Sequence, residues 1–479
     1  MGVEAGAFER LPARPYHPVA MFFRQVLHED LGCASYVVAD GGEAAVIDPK
    51  WDVDDYLRLA DEHGFAIVHI LETHNHADHV SGKGRLARAT GATIHVPATA
   101  GVDFPHEPLG DGDQVAVGDV TVTALATPGH RPEHTAYLVA DASRGDEPWL
   151  VITGDSLFVG DVARPDLAVD KEEGARGLYQ SIKRLLALGD FAEVWPGHIG
   201  GSLCGGAGMS EKPGTTIGFE RRFNRLASSP DEETFVRTLT GNLAPQPPNF
   251  KRIVALNRGP LLTESESVDE LLPAAVQDRL EAGATVLDGR DTLAYDGAHV
   301  PGSINVTMVR AAVGTRAAWV VDPESEVIVT ADTDAEAARM ALLLEAVGFR
   351  RITGLLAGGI ESWRDAGLPV ESTAAIDIPE LADRLRRGAV RLLDVRDLDE
   401  WEEGHVEGSR HVPYHDLGQG VPDDLVNGGK PLAVACSVGN RSSIAVSLLR
   451  RAGVEDVVHV ASGGVAELAG EGIELVQTG

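Results

Sequence analysis

Short apolar runs that end in glycine-bearing turns recur along the first part of the chain. Residues 66–71 and 150–152 are largely apolar, and residues 120–125 alternate apolar and polar side chains, as a half-buried strand does. A shorter run at residues 193–195 follows the same plan. Each run leads into a turn that carries histidine or aspartate. The pattern predicts four strands whose following loops present polar side chains.

The turn after the first run reads Thr73-His74-Asn75-His76-Ala77-Asp78-His79. The later turns read Thr127-Pro128-Gly129-His130, Thr153-Gly154-Asp155 and Pro196-Gly197-His198. Imidazole and carboxylate groups are ligands of first-row transition metals in proteins. Glycine lets a loop turn sharply and bring its backbone close to an ion. The four turns together predict a metal site.

The second half of the chain contains an internal repeat. Leu287-Asp288-Gly289-Arg290-Asp291 recurs as Leu393-Asp394-Val395-Arg396-Asp397. Residues 299–303 recur as residues 405–409 at the same offset of 106. Each copy has the length of an ordinary domain.

Strand patterns alternate with helix patterns inside each copy. Apolar runs at 327–329 and 432–434 precede helical stretches at 335–346 and 441–452. This alternation predicts parallel sheets covered by helices on both faces, so we expect a multidomain protein of α/β and α+β class. The predicted bounds are residues 1–250 for the metal domain, 251–269 for a linker, and 270–372 and 377–479 for the two repeat domains.

Net charge, apolar segments and cysteine spacing limit which partners and which cellular compartment are expected. The net charge of −32 disfavours nucleic acid, because an acidic surface repels phosphate. Residues 1–20 lack an apolar core, so no signal peptide is expected, and no stretch reaches the roughly 18–20 apolar residues of a membrane helix. Cys33, Cys204 and Cys436 are too scattered for a disulfide framework. We expect a cytoplasmic protein without a membrane partner.

The histidine motif and the three later turns resemble those of the metallo-β-lactamase superfamily over residues 15–250. The resemblance implies an αββα sandwich with metal at one edge of its two sheets, and it leaves two ligand sets open. The set of glyoxalase II-like hydrolases implies two metal ions. The first would be held by His74, His76 and His130, the second by Asp78, His79 and His198, and Asp155 would bridge them. The set of persulfide dioxygenases implies one Fe(II) on His74, His130 and Asp155, the two-histidine, one-carboxylate arrangement of non-haem Fe(II) oxygenases.

The repeat domains resemble rhodaneses, which are sulfurtransferase domains. In the second copy the resemblance lies in Asp394-Val395-Arg396, Glu400-Trp401, residues 404–408 and Cys436-Ser437-Val438-Gly439-Asn440-Arg441. The last run places a thiol on a short loop that opens a helix. The loop N–H groups of Ser437, Val438, Gly439 and Asn440, with the charge of Arg441, are expected to stabilise the Cys436 thiolate and its persulfide.

The first copy departs from this pattern. Its corresponding stretch contains Ala331 and Asp332 and no cysteine, whichever of the two is aligned with Cys436. Asp332, Asp334 and Glu336 would oppose an anionic intermediate. We therefore expect this domain to act as a spacer or docking surface and not in thiol-based sulfur transfer.

The whole chain resembles fused persulfide dioxygenase–rhodanese proteins of bacterial sulfide detoxification. That resemblance implies one Fe(II) per chain, oxidation of a thiol persulfide by O₂ to sulfite, and thiosulfate formation through a Cys436 persulfide. The implied thiol is of the glutathione, coenzyme A, bacillithiol or mycothiol type, and related dioxygenases suggest a homodimer or homotetramer. Two alternatives remain: a binuclear thioester hydrolase with a sulfurtransferase appendage, and a sulfur carrier with a vestigial metal site.

Several further side chains are assigned from their setting. Arg164 binds a carboxylate or phosphate of the thiol substrate or forms a surface salt bridge, and Cys204 faces the metal cavity or is an incidental loop thiol. Cys33 is assigned to a strand core. His299 and His405 occur in both repeat copies, which favours a structural role. Six other histidines are assigned to packing or the surface: His28, His63, His69, His95, His106 and His134.

Overall fold

The computed structural model describes residues 21–477 except 29, 146, 201, 203, 207, 242, 309–311 and 428. Residues 1–20, for which no signal peptide is expected, lie outside the described residues. Among the described helices, none is both long and apolar enough to cross a bilayer.

Two six-stranded sheets form the centre of the metal domain. The first sheet consists of β1 (Phe22–His28), β2 (Cys33–Asp40), β3 (Glu43–Ile47), β4 (Ala66–Leu71), β5 (Thr93–Pro97) and β6 (Glu107–Leu109). The second consists of β7 (Gln114–Val117), β8 (Val120–Ala126), β9 (Thr135–Asp141), β10 (Leu150–Gly154), β11 (Glu193–Pro196) and β12 (Thr215–Thr216). The helices of this part are α1 (Asp54–His63), α2 (Lys83–Thr90), α3 (Lys171–Leu186), α4 (Ile217–Phe223), α5 (Glu232–Thr240) and α6 (Phe250–Arg258).

The two sheets pack face to face, with helices on their outer sides. One core cluster joins residues of both sheets, including Tyr36 and Val122. A second cluster places Tyr56 and Leu86 of α1 and α2 against the first sheet. A third places Leu178 of α3 with the second sheet. The αββα sandwich predicted from the sequence is confirmed.

Strand direction brings the ligand-bearing loops to one edge of the second sheet. β8 and β10 are both antiparallel to β9, and β10 is parallel to β11. β8, β10 and β11 therefore run in the same direction and end at the same edge. Three of the four turns predicted to carry metal ligands follow directly after these strand ends, and the histidine motif follows β4 of the first sheet.

Each repeat copy is a five-stranded parallel sheet with helices around it. The first copy contains β13 (Glu270–Leu271), β14 (Thr285–Asp288), β15 (Ile304–Asn305), β16 (Val327–Thr330) and β17 (Ile352–Leu356), with α7 (Pro273–Glu281), α8 (Thr292–Gly297), α9 (Val313–Val320), α10 (Asp334–Ala346) and α11 (Gly359–Asp365). The second contains β18 (Ala374–Ile376), β19 (Arg391–Asp394), β20 (His405–Val406), β21 (Arg410–His411), β22 (Leu432–Ala435), β23 (Val457–Val460) and β24 (Leu475–Val476), with α12 (Ile378–Arg386), α13 (Leu398–Glu403), α14 (Tyr414–Leu417), α15 (Asp423–Val426), α16 (Asn440–Arg451) and a 3₁₀ helix (Val465–Ala469). All strand pairs within the two five-stranded sheets are parallel, as predicted. In the second copy β20 and β24 lie outside the five-stranded sheet and form a separate antiparallel pair.

The three domains share packing. A single core cluster contains residues of both repeat copies together with Trp51 and Val80 of the metal domain. Trp51 Nε1 donates to Glu345 Oε2 of α10 at 2.7 Å. Residues 251–269, predicted as a linker, include most of α6, whose Ile253 is buried in the same cluster. The segment therefore packs between domains instead of forming an extended tether.

Candidate metal centre and sulfur-transfer site

Three buried side chains point at a common centre at the sheet edge. His74 follows β4, His130 follows β8, and Asp155 follows β10. Their ligand atoms lie within 4.8 Å of one another, with His130 Nε2 3.4 Å and His74 Nε2 4.0 Å from Asp155 Oδ2. Within the described part of the chain these three buried atoms have no hydrogen-bond partner. Buried polar atoms are normally satisfied, so three orphans converging on one point fit a metal ion.

The second nitrogen of each histidine ring fixes its orientation. His130 Nδ1 lies 2.9 Å from the Arg164 carbonyl oxygen, which can only accept. His74 Nδ1 lies 2.8 Å from Thr73 Oγ1, and that hydroxyl donates to Asp48 Oδ2 at 2.8 Å. Both Nδ1 atoms therefore carry the proton, and both Nε2 lone pairs face the centre. Such outer hydrogen bonds set the tautomer and basicity of metal-binding histidines.

The main chain before Asp155 requires glycine. Gly154 has φ +49°, and a Cβ there would approach His134 Nε2 to 2.7 Å and Thr73 Cβ to 2.9 Å. His134 Nε2 accepts the Asp155 N–H at 2.9 Å. The sequence assigned His134 to packing or the surface, but its ring holds a ligand-bearing turn in place. The only sequence signal was its position four residues after His130.

His76 has its ring centroid 4.2 Å from that of His74, but its ligand atom is grouped with Asp48 and Glu72. Its Nε2 lies 3.1 Å from Asp48 Oδ1 and 3.6 Å from Glu72 Oε2. Burial lowers the pKa of His76, but the Asp48 and Glu72 carboxylates raise it more, to about 9. Asp48, Glu72 and His76 themselves form a second buried group with metal-ligand geometry.

The ligands expected for a second ion lie beside two thiols. Asp78 forms one group with Cys33 and His79 and another with His198 and Cys204. Cys33 Sγ donates to Asp78 Oδ2 at 2.9 Å. His198 Nε2 lies 3.2 Å from Asp155 Oδ2 and 3.3 Å from Asp78 Oδ2.

Charge and burial set the protonation of this second group. Burial lowers the pKa of His198, but Asp155, with Cys204, Cys33 and Asp78, raises it well above the usual value. Burial raises the pKa of Cys204 to about 12 and that of Cys33 well above its usual range. Cys33, assigned from the sequence to a strand core, is buried but also bonds a motif carboxylate. Cys204 lies beside His198 and packs against Phe158.

The motif loop is held from outside by α6 and the first repeat copy. Asn257 Nδ2 donates to the carbonyl oxygens of His76 and His79, and its Oδ1 accepts the Ser81 N–H at 2.9 Å. The Val80 N–H donates to the Ala346 carbonyl oxygen of α10 at 2.7 Å. Asn257 escaped sequence analysis because it lies 178 residues beyond His79.

Arg164 is buried and paired inside the domain. Its guanidinium donates to both carboxylate oxygens of Asp166, at 2.7 and 2.8 Å, and to the Ala244 carbonyl oxygen. Its own carbonyl oxygen orients His130. The sequence predicted either a surface salt bridge or a contact with a thiol substrate for Arg164. A salt bridge is present, although it is buried, and the substrate contact stays a prediction.

The structure aligns the two repeat copies residue by residue at the sulfur site. Asp288 pairs with Thr330 in the first sheet, and the equivalent Asp394 pairs with Ala435 in the second. The next residue in each strand exit is Ala331 in the first copy and Cys436 in the second. The choice between Ala331 and Asp332 is therefore resolved in favour of Ala331.

Cys436 sits on a tight loop between β22 and α16. The Gly439 N–H donates to Cys436 Sγ at 3.1 Å, and Ser442 Oγ lies 3.4 Å from it. Gly439 has φ +95°, and a Cβ there would collide with the Ala461 carbonyl oxygen. The loop therefore depends on glycine to aim an amide at the sulfur.

The Arg441 guanidinium is fixed by carboxylates at the rim of the loop. It donates to Asp397 Oδ2 at 2.6 Å, to both oxygens of Glu400, and to Ser437 Oγ. Burial raises the pKa of Glu400, but these bonds lower it to about 2. The Arg441 charge is therefore shared with two carboxylates, and its effect on the Cys436 thiolate stays a prediction.

The two repeated histidines occupy matching positions. His299 stacks on Tyr295 with ring centroids 4.0 Å apart, and His405 stacks on Trp401 at 3.7 Å. His299 Nδ1 also lies 2.8 Å from the main-chain carbonyl oxygen of Tyr295, and His405 Nδ1 lies 2.9 Å from that of Trp401. Because the arrangement is the same in the copy without cysteine, it has a structural role.

Family models match most of the described fold. The metallo-beta-lactamase superfamily model matches residues 28–198, and the rhodanese-like domain model matches residues 272–366 and 377–471. These matches cover the sandwich with the histidine motif and both repeat copies.

Individual proteins extend this picture. A metallo-beta-lactamase structure from Staphylococcus aureus subsp. aureus COL has a TM-score of 0.64 and 30% identity, covering 71% of this chain and 99% of that chain. A hydroxyacylglutathione hydrolase of Methylobacillus flagellatus is 33% identical over 160 residues, 33% of this chain. The match spans only 58% of that hydrolase. The structure of ETHE1 from Myxococcus xanthus has a TM-score of 0.44 and 30% identity, covering 50% of this chain and 98% of that chain.

Proposed function

Because the chain belongs to the metallo-β-lactamase superfamily and continues into two rhodanese-like domains, we propose that it is a persulfide dioxygenase coupled to a sulfurtransferase. The observation that carries the proposal is the grouping of His74, His130 and Asp155 while His76 pairs with Asp48. Two histidines and one carboxylate with open positions form the ligand set of non-haem Fe(II) oxygenases.

The three residues fit a single Fe(II) per chain. They are buried, and both ring orientations leave Nε2 of His74 and His130 without a hydrogen-bond partner among the described residues. Asp155 Oδ2 lies 3.2 Å from His198 Nε2. Bound iron would supply the activation of O₂ that sulfur oxidation needs. The Arg164 carbonyl oxygen and the Thr73 hydroxyl hold the two rings.

The proposed oxidation converts a thiol persulfide to sulfite. In balance, R–S–SH, O₂ and H₂O give R–SH, SO₃²⁻ and two protons. The sulfane sulfur is oxidised and dioxygen is reduced. The thiol R–SH is of the glutathione, coenzyme A, bacillithiol or mycothiol type.

The proposed transfer step uses Cys436. Its thiolate takes the outer sulfur of R–S–SH, which releases R–SH and leaves a Cys436 persulfide anion. Sulfite then attacks that outer sulfur, the S–S bond to Cys436 breaks, and thiosulfate and the thiolate form. The Gly439 amide that already donates to Sγ supports the negative charge through this cycle.

The test is oxygen uptake by iron-replete protein supplied with glutathione persulfide. We expect uptake with sulfite and thiosulfate as products, and no uptake by Asp155→Ala. Absence of uptake with every persulfidated small thiol would overturn the oxidation.

A binuclear thioester hydrolase is the second candidate. It is favoured by the 33% identity to hydroxyacylglutathione hydrolase and by the presence of every residue of the two-metal set. Hydrolysis of S-lactoylglutathione at a rate above the persulfide reaction, with two metal ions per chain, is the outcome that would support it.

A further inference from the structure

A carboxylate of the cysteine-less repeat copy reaches the sulfur site of the other copy. Asp296, at the end of α8, places Oδ2 2.6 Å from His459 Nδ1 on β23. Both side chains are buried, with 3% and 0% of their surfaces exposed. A buried carboxylate held this close to a histidine fixes the ring and the proton on its near nitrogen.

The far side of the same ring faces the cysteine loop. His459 Nε2 lies 3.0 Å from the Gly439 carbonyl oxygen and 3.0 Å from Ser442 Oγ. Nδ1 of the ring faces Asp296 Oδ2 and Nε2 faces the Gly439 carbonyl oxygen, so the ring links the carboxylate of one copy to the cysteine loop of the other. The Ser442 hydroxyl donates to the Gly439 carbonyl oxygen at 2.9 Å and lies 3.4 Å from Cys436 Sγ. When the His459 ring donates to that carbonyl oxygen and to Ser442 Oγ, it competes for the carbonyl and turns the hydroxyl proton toward Sγ.

The cysteine-less copy has lost the matching side chains. Ala331 stands at the cysteine position, and at the same offset of 105 residues Ala337 stands where Ser442 is. The His459 position falls on Gly354 by sequence offset or on Leu355 by strand pairing. None of these side chains forms hydrogen bonds, so serine and histidine are present only in the copy that has the thiol.

We propose that Asp296 is a positioning residue of the Cys436 site: through His459 and Ser442 it directs a hydrogen-bond donor at the sulfur. The inference rests on the proposed sulfurtransferase function. The cysteine-less copy thereby supplies an essential part of the active site, which goes beyond the spacer or docking role. The alternative is that the Asp296–His459 pair only holds the two domains together and does not affect Cys436.

The experiment compares Asp296→Asn with Glu371→Gln in the full chain. Glu371 is a matched control because its carboxylate faces Arg450 across the same pair of domains, 3.8 Å away. Sulfur transfer from thiosulfate to cyanide, iodoacetamide alkylation of Cys436 and the melting temperature are measured, with Cys436→Ser as the alkylation blank. We expect Asp296→Asn to lower kcat and alkylation by about tenfold, with the KM for thiosulfate unchanged. Its melting temperature should fall more than that of Glu371→Gln, because Asp296 is buried and Glu371 is partly exposed.

Ser442→Ala keeps the Asp296–His459 pair and removes only the link to sulfur, so it guards against a folding defect in Asp296→Asn. It should show the same loss, and the Asp296→Asn/Ser442→Ala double variant should lose no more than either single variant. Wild-type kcat and alkylation in Asp296→Asn, or a lower melting temperature with unchanged reactivity, would overturn the proposal. Failure of wild-type protein to transfer sulfur would instead refute the proposed function, whereas the alkylation comparison would still test Asp296.

Discussion

His76 Nε2 lies 3.1 Å from Asp48 Oδ1, while the His76 ring centroid is 4.2 Å from that of His74. Asp48 is itself unusual, since it has φ +52° and accepts both the N–H and the hydroxyl of Thr73. One buried carboxylate therefore contacts both the start of the motif loop and one of its histidines. A non-glycine residue in the left-handed region costs free energy and is often found at functional sites.

Metal content should depend on His74 and not on His76. We expect one iron per chain in the wild type and at least about a tenfold fall in iron affinity in His74→Gln. The matched variant His76→Gln should keep one iron, because its ring bonds Asp48 and not the metal. Elemental analysis of proteins loaded anaerobically measures this. Two ions per chain, or equal loss in both variants, would contradict the mononuclear site.

The two chemistries should separate at Cys436. Cys436→Ser should abolish thiosulfate formation while oxygen uptake and sulfite production continue, because the thiol lies on the transfer loop and not among the metal ligands. Oxygen electrode traces with separate quantification of sulfite and thiosulfate test this. Undiminished enzymatic thiosulfate synthesis in the variant would refute the relay.

Loss of Asn257 should weaken both folding and the metal loop. Asn257→Ala leaves the buried carbonyl groups of His76 and His79 without their donor, which should cost about 1–3 kcal/mol of unfolding free energy. Iron should also dissociate faster, because the motif loop loses its support. Urea unfolding and the rate of iron loss to a chelator measure the two effects.

Asn249→Ala provides the control for that variant. Asn249 is equally buried and donates to the Val347 carbonyl oxygen, but it has no bond to the motif loop. It should lower stability and leave iron release unchanged. Faster iron release in Asn249→Ala to the same extent would show that the effect of Asn257 is general destabilisation.

The Glu400–Arg441 pair should contribute to the free energy of unfolding, and this contribution should be lost at acid pH. The pKa of Glu400 falls from 4.5 to about 2 in the folded protein. The unfolded state therefore binds more protons in this range, so the contribution is complete above pH 4.5 and is lost as the pH falls through about 2. The melting-temperature difference between wild type and Glu400→Gln should shrink on acidification over that window.

Glu361→Gln is the control for this prediction. Its pair with Arg364 is exposed, so removal should change the melting temperature little at any pH. A wild-type advantage over Glu400→Gln that stays constant down to pH 3 would refute the assignment.

Much of the architecture followed from local patterns in the sequence. Helices predicted at 335–346 and 441–452 are observed at Asp334–Ala346 and Asn440–Arg451, because hydrophobic period and loop glycines act over a few residues. The metal motif and the cysteine loop were found for the same reason, since their chemistry lies in short contiguous runs.

The tertiary structure alone decided which of those residues work together. His76 lies beside Asp48, which is not part of the motif and approaches it only when β3 and β4 pair. Asp296 and His459 meet across 163 residues of sequence. Local sequence fixes what a loop carries, but side-chain orientation and cross-domain contacts depend on packing between distant segments, which no short pattern encodes.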